Sequence, residues 1–195
     1  MHEDAASGIH IQPGLRIAYQ GEPGAFSEEA IQRLGPAIPI SCSSFPELFS
    51  AIANGRADLI LAPVENTIAG PVTQSCELLA RTNLRRVTEV LLPIRLHLIG
   101  LPGAVLDNIR TVRSHPVALA QCRRYLSTHP NVIAEAASDT AGSVREMFEL
   151  GDRSVAAIAS ERAAALYGGV ILDRDIHDNP ENFTKFLLLS AEQVR

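Results

Sequence analysis

Tryptophan is absent from this chain and lysine nearly so: of 17 basic residues 16 are arginine, and Lys185 is the single lysine. Aromatic residues make up 5% of the 195 positions, so the 46% of hydrophobic residues must fill a core mostly with aliphatic side chains. Cysteine is scarce and odd in number. Cys42, Cys76 and Cys122 are far apart and form no CxxC pair, which excludes a zinc ribbon and a disulfide framework and leaves buried thiols in a reducing compartment. No apolar run approaches the roughly 18 residues of a membrane span. No basic run with interleaved aromatics occurs, and a net charge of −5 argues against nucleic acid as a partner. The N-terminal stretch MHEDAASGIHIQPG carries acids where a secretory signal carries bases, so residues 1–14 read as a flexible tail and the protein as cytoplasmic. Ser-His-Asp spacing, a GxSxG elbow, a Walker loop and metal signatures are missing too, and no metal is expected.

What the chain does have is rhythm. Short apolar runs alternate with longer amphipathic ones: LRIAY, AIPISC and DLILAPV read as strands, with helices at 27–35, 44–55 and 71–82 between and after them. Ser44 and Glu47 have capping-box spacing. After a strand at 84–92 and Pro93 the rhythm restarts. Strands are read at 94–101, 106–114, 131–137, 154–160 and 169–176, and helices at 115–129, 139–151 and 161–169, before a last strand, FTKFLLLS. The fold class is α/β: two lobes of mixed, mostly parallel sheet with helices on both faces. Residues 15–92 plus 173–195 are expected to form the first lobe and 93–172 the second, with ligand bound between them.

Four loops stand where such folds bind ligands. GEPGAFS (21–27) combines glycines with a helix start; it is an anion cradle or simply a tight turn. PVENTIAGPV (63–72) places Glu65, Asn66 and Thr67 directly after a buried strand, where they serve a ligand or a turn. In RSHPVALAQC (113–122), Ser114 either binds ligand or caps the helix, and His115 reads better as a local hydrogen-bonding residue than as a base. Gln121 lies two helical turns past Ser114, on the same side. In NFTKF (182–186), Thr184 is a hydroxyl donor in a dry slot or an ordinary strand threonine. Strand alternation points Lys185 away from it. Composition and spacing therefore reach a two-lobed α/β protein for a small, anionic molecule.

These segments, in order, resemble prephenate dehydratase: RIAYQGEPGAFSE, ADLILAPVENTIAG, VRSHPVALAQC, DTAGS, AAIASERAAALYG and ENFTKF, together spanning about 15–190. The closely related arogenate dehydratases are similar as well. The resemblance implies a fold like that of type II periplasmic solute-binding proteins, no cofactor, and conversion of prephenate to phenylpyruvate, water and carbon dioxide in phenylalanine synthesis. It implies that Thr184 is catalytic. It assigns Asn66, Ser114 and Gln121 to substrate binding, with Glu65, Thr67, Lys185 and Phe186 as neighbours, and Gly24, Ala25 and Ser27 as donors to a carboxylate. The family's usual Thr-Arg-Phe triplet is Thr184-Lys185-Phe186 here, so a two-pronged guanidinium is replaced by a point charge. The chain stops at Arg195, where many family members continue into a phenylalanine-binding ACT domain; feedback through that domain is expected to be absent, with a separate regulatory chain as the other route. A homodimer is expected from the family. Alternatives are a non-aromatising prephenate decarboxylase, disfavoured by the retained threonine, an arogenate dehydratase, and a non-catalytic protein that binds a small anion.

Overall fold

The computed structural model describes residues 11–191. Most of the expected tail lies outside them, but Ile11 is buried beside Gly35, so ordered packing begins earlier than Leu15. In chain order the elements are β1 (Arg16–Gln20), α1 (Phe26–Leu34), β2 (Ile38–Cys42), α2 (Phe45–Ser50), β3 (Leu59–Asn66), β4 (Gly70–Pro71), α3 (Thr73–Ala80) and β5 (Arg85–Pro93). They continue with β6 (His97–Gly100), a short 3-10 turn (Leu106–Asn108), β7 (Thr111–Ser114), α4 (Pro116–Ala120), α5 (Arg123–Ser127) and β8 (Ile133–Ala136). Last come α6 (Thr140–Leu150), β9 (Val155–Ala159), α7 (Glu161–Tyr167), β10 (Val170–Asp173) and β11 (Phe183–Ser190).

The chain divides into two units. Among the described residues, the first comprises 11–21, Ser27–Leu92 and 183–191. Its sheet runs β2-β1-β3-β11-β5, with β4 on β3. β1 pairs in parallel with β2 and β3, whereas β11 lies antiparallel to β3. Ala18, Ile60, Ala62 and Leu189 of the sheet pack with Leu48 and Phe49 of α2. The stretch ILA (60–62) is apolar because it is fully enclosed, as a central strand requires. α2 starts where the sequence places it: Ser44 accepts from Glu47 N–H, and the Glu47 carboxylate reaches back to Ser43.

The second unit comprises Pro93–Asn182 together with Glu22–Phe26. Its sheet runs β10-β6-β9-β7-β8, parallel across β9, β7 and β8 and antiparallel across β10, β6 and β9. Ile99, Ala157 and Ala159 pack there against Ala141, Val144 and Met147 of α6 and Ala163 of α7. The return to the first unit falls at Phe183 rather than at 173, because β10 pairs with β6. No described helix is long and apolar enough to cross a membrane.

Candidate active site

In the first unit, β3 runs two residues beyond the expected Val64. Glu65 pairs with Pro71 and Asn66 with Gly70, so the stretch read as one loop is a tight hairpin with Thr67–Ala69 at its tip. On its other side β3 meets the start of β11, with Thr184 opposite Asn66 and Lys185 opposite Glu65. Asn66 Oδ1 accepts the N–H groups of Ile68 and Ala69 at 3.0 and 2.8 Å. An amide oxygen fixed in this way turns the NH₂ group to the opposite side. There Asn66 Nδ2 donates to Phe183 O and to Thr184 Oγ1, both at 3.0 Å. Thr67 closes the corner: its N–H donates to Phe183 O, and its Oγ1 accepts from Phe183 N, both at 2.9 Å.

The consequence for Thr184 is chemical. Its oxygen is an acceptor in the bond from Asn66, so its own proton is left to donate elsewhere. Thr184 is half-buried, Glu65 and Thr67 are exposed, and Lys185 is half-buried. A lysine opposite a glutamate on adjacent antiparallel strands is a favourable cross-strand pair. Phe186 is 2% exposed and belongs to the buried core of β11, which removes it from the expected substrate contacts. Ser27 is buried on the first turn of α1.

The remaining sequence candidates lie in the second unit. Gly24 has φ +91°, and a Cβ there would stand 3.0 Å from Ala163 Cα, so only glycine fits. Its carbonyl accepts from Ser160 Oγ at 3.0 Å, and the preceding Pro23 carbonyl accepts from Tyr167 Oη at 3.1 Å. Arg145 grips Glu22 with two parallel donors at 2.7 and 2.8 Å, which hold the Glu22 carboxyl below its ordinary pKa. Ala25 N–H donates to Glu22 O and closes a turn, so that amide is committed internally rather than offered to a carboxylate as expected.

Ser114, at the end of β7, is 0% exposed and gives its hydroxyl proton to Ile158 O at 2.6 Å. The helix cap is His115 instead, whose Nδ1 accepts from Val117 N–H. The expected helix over 115–129 is broken. Gln121 ends α4, Cys122 is buried, and α5 starts at Arg123, so the argument that two unbroken turns separate Ser114 from Gln121 fails. Gln121 Oε1 accepts from Asn182 Nδ2 at 3.1 Å, and Gln121 O accepts from Asp178 N at 2.7 Å. Asn182, Asp178 and Arg145 were not singled out as contributors by the sequence. Their partners are between 54 and 123 residues away, beyond any local pattern, although Asn182 adjoins the NFTKF motif.

Arogenate dehydratase 3, chloroplastic, of Arabidopsis thaliana is 42% identical over 184 residues, which are 92% of this chain and 43% of the relative. The chain spans less than half the length of such curated relatives. Among solved structures, the prephenate dehydratase of Arthrobacter aurescens in complex with L-Phe superposes with a TM-score of 0.85 at 32% identity, over 92% of this chain and 61% of that one. A protein described as GqqA, a novel type of quorum-quenching acylase, superposes at 0.84 with 34% identity, over 92% and 65%. The fold alone extends to lipoprotein Tp32 of Treponema pallidum, at 12% identity and a TM-score of 0.50 over 92% of this chain and 84% of that one, in line with the type II periplasmic-binding architecture. The family model for prephenate dehydratase matches residues 17–194, and the chain belongs to that family.

Proposed function

We propose that this chain is a lyase that converts prephenate to phenylpyruvate, water and carbon dioxide, with Thr184 as its catalytic residue. Prephenate holds a carboxylate and a hydroxyl at opposite ring positions. When the ring carbon–carboxylate bond breaks, its electron pair enters the ring, the carbon–oxygen bond opposite breaks, and an aromatic ring forms. The departing oxygen carries developing negative charge. An oriented donor aimed at that oxygen in a shielded site contributes about 3–4 kcal/mol, or about 10²–10³ in rate. Thr184 need not surrender its proton, since solvent completes the water molecule.

The observation that carries the reading is the bond from Asn66 to Thr184 Oγ1, which leaves the threonine proton available. Substrate-binding roles are proposed for Thr67, Glu65, Lys185, Gly24, Ser27 and Gln121, while Asn66, whose amide is engaged by Phe183, Thr184, Ile68 and Ala69, is proposed to act through Thr184. Ser114 is assigned a narrower role, through its oxygen lone pairs, because its proton is taken. The proposal also covers cytoplasmic localisation and a homodimeric state. Arogenate, which carries an amine where prephenate carries a keto group, is a second substrate reading favoured by the 42% identity to an arogenate dehydratase. An acylase reading lacks comparable support. Ser114 donates to a backbone carbonyl and His115 Nδ1 accepts from a backbone amide, so the two do not form a nucleophile–base pair.

The test is turnover of purified chain with prephenate and, separately, arogenate, read as phenylpyruvate absorbance in alkali or as phenylalanine. Thr184→Ala is expected to lower kcat by about 10² or more while KM stays within a few-fold. Full activity in that variant rejects the role of Thr184.

A further inference from the structure

Two histidines in the second unit are almost fully enclosed, His97 at 4% and His177 at 8% exposure, and the reaction proposed above uses neither. Both act as acceptors. His97 Nδ1 takes the N–H of Asp175 at 3.0 Å, and His177 Nδ1 takes the N–H of Leu96 at a weaker 3.5 Å. Asp175 is the described non-glycine residue with positive φ, at 51°, a conformation that costs about 1 kcal/mol or more and must be held by its surroundings. The acceptor at His97 is one such hold; the donation from Ile176 N to Leu96 O at 2.9 Å is the next.

The segment pinned here is 174–182, the connector from β10 to β11. Farther along, the same connector grips Gln121 twice, through Asp178 N to Gln121 O and through Asn182 Nδ2 to Gln121 Oε1. Asp178 also accepts Arg124 N–H at 3.0 Å and so caps α5. An acceptor Nδ1 exists only in neutral imidazole. Protonation converts it into a donor facing a backbone N–H, and the bond is lost.

We propose that His97 is a positioning residue: as a neutral acceptor it fastens the 174–182 connector, which sets Gln121 for substrate, and protonation unfastens it and weakens substrate binding. The proposal rests on the assignment of Gln121 to substrate. The groups around His97 are Asp175 and Glu161, which favour its charged form, and Arg174 and His177, which oppose it. Around His177, Asp175, Asp178 and the hydrogen bond with the Leu96 backbone favour charge and Arg95 opposes it. Burial is the largest influence on both and draws both below the ordinary histidine value, so the fastened state persists at neutral pH.

The test compares His97→Asn, whose amide oxygen can replace the Nδ1 acceptor without titrating, with His97→Leu. In wild type, KM for prephenate is expected to rise by about threefold as pH falls from about 8 to about 5, because an imidazole held below its ordinary value is only partly protonated there, with kcat changing less. His97→Asn is expected to flatten that rise. His97→Leu is expected to show a KM about tenfold higher at every pH, the equivalent of one lost hydrogen bond. A KM indifferent to pH in wild type, or His97→Asn behaving as His97→Leu, overturns the proposal. Hydrogen exchange of peptides covering 174–182 provides a readout without turnover. Protection is expected to fall in His97→Leu and to hold in His97→Asn. If prephenate is not turned over at all, the substrate reading fails while this exchange contrast still decides whether His97 fastens the connector; equal protection in both variants overturns it.

Discussion

The direction of one hydrogen bond decides what Thr184 can do. Because Asn66 Oδ1 is committed to Ile68 and Ala69, only its NH₂ faces the threonine, and the threonine oxygen must accept. Asn66→Asp tests this directly. One carboxylate oxygen would still hold the two backbone N–H groups, but the other, an acceptor, would now take the Thr184 proton. The expected outcome is a folded protein whose kcat is lowered by about 10², close to that of Thr184→Ala. Melting temperature and kcat measured on the same preparation check both halves. Lys185 is a milder case. Opposite Glu65 it needs a positive charge more than a particular shape, so Lys185→Arg is expected to keep kcat/KM within about tenfold and Lys185→Ala to lose more, given a cross-strand pair worth roughly 0.2–1 kcal/mol plus any substrate contact. A Lys185→Arg variant that is inactive would show that the ammonium itself is required.

At the scale of elements, the strand pair β3–β11 holds the site and Phe186 anchors it. Its buried ring makes Phe186→Ala expected to cost about 3–5 kcal/mol of stability, as measured by urea denaturation, through packing rather than substrate contact. Most element types were legible in the sequence, since period-2 and period-3.6 patterns and caps such as Ser44 act over a few residues. Two of the misreadings share a cause: a partner distant in the chain. The helix expected over 115–129 breaks because Asp178 takes Gln121's carbonyl with its N–H and caps Arg124 with its carboxylate, 54 residues away. Glu22–Phe26 joins the second unit because Arg145, Ser160 and Tyr167 hold it there, as far as 144 residues along the chain. The local geometry of the candidate site was legible only in part. Thr184, Asn66 and Thr67 come together as the motifs suggest, whereas Ser114 is spent on the sheet and Phe186 on the core.

For the whole molecule, charge and burial combine into a pH dependence with a definite sign. Arginine pairs hold Glu22, Asp58 and Glu161 below their ordinary values, and Arg56 with Ser43 holds Glu47 down to about 2. Burial holds His97 and His177 below the ordinary histidine value. Every one of these is a folded-state pKa lower than the unfolded one. Over the shifted range the unfolded chain therefore binds more protons, and stability falls as pH falls. The windows differ. The histidine contribution is complete above about pH 6.5 and drains away below it, while the carboxylate contribution persists until pH passes below about 4. The units differ in what they hold: the second contains both histidines together with Glu22 and Glu161, whereas the first contains Glu47 and Asp58 and neither histidine. Urea denaturation followed by peptide-level hydrogen exchange separates them. Between about pH 8 and 7 stability is expected to be flat. From about pH 6.5 to 5 protection is expected to fall first in peptides of 93–182, and only nearer pH 4 in peptides of 27–92. Because exchange chemistry itself slows with acid, rates must be corrected to a common intrinsic rate before comparison. Loss of protection in the first unit ahead of the second would mean that the carboxylate pairs, not the buried imidazoles, are the earlier point of acid failure.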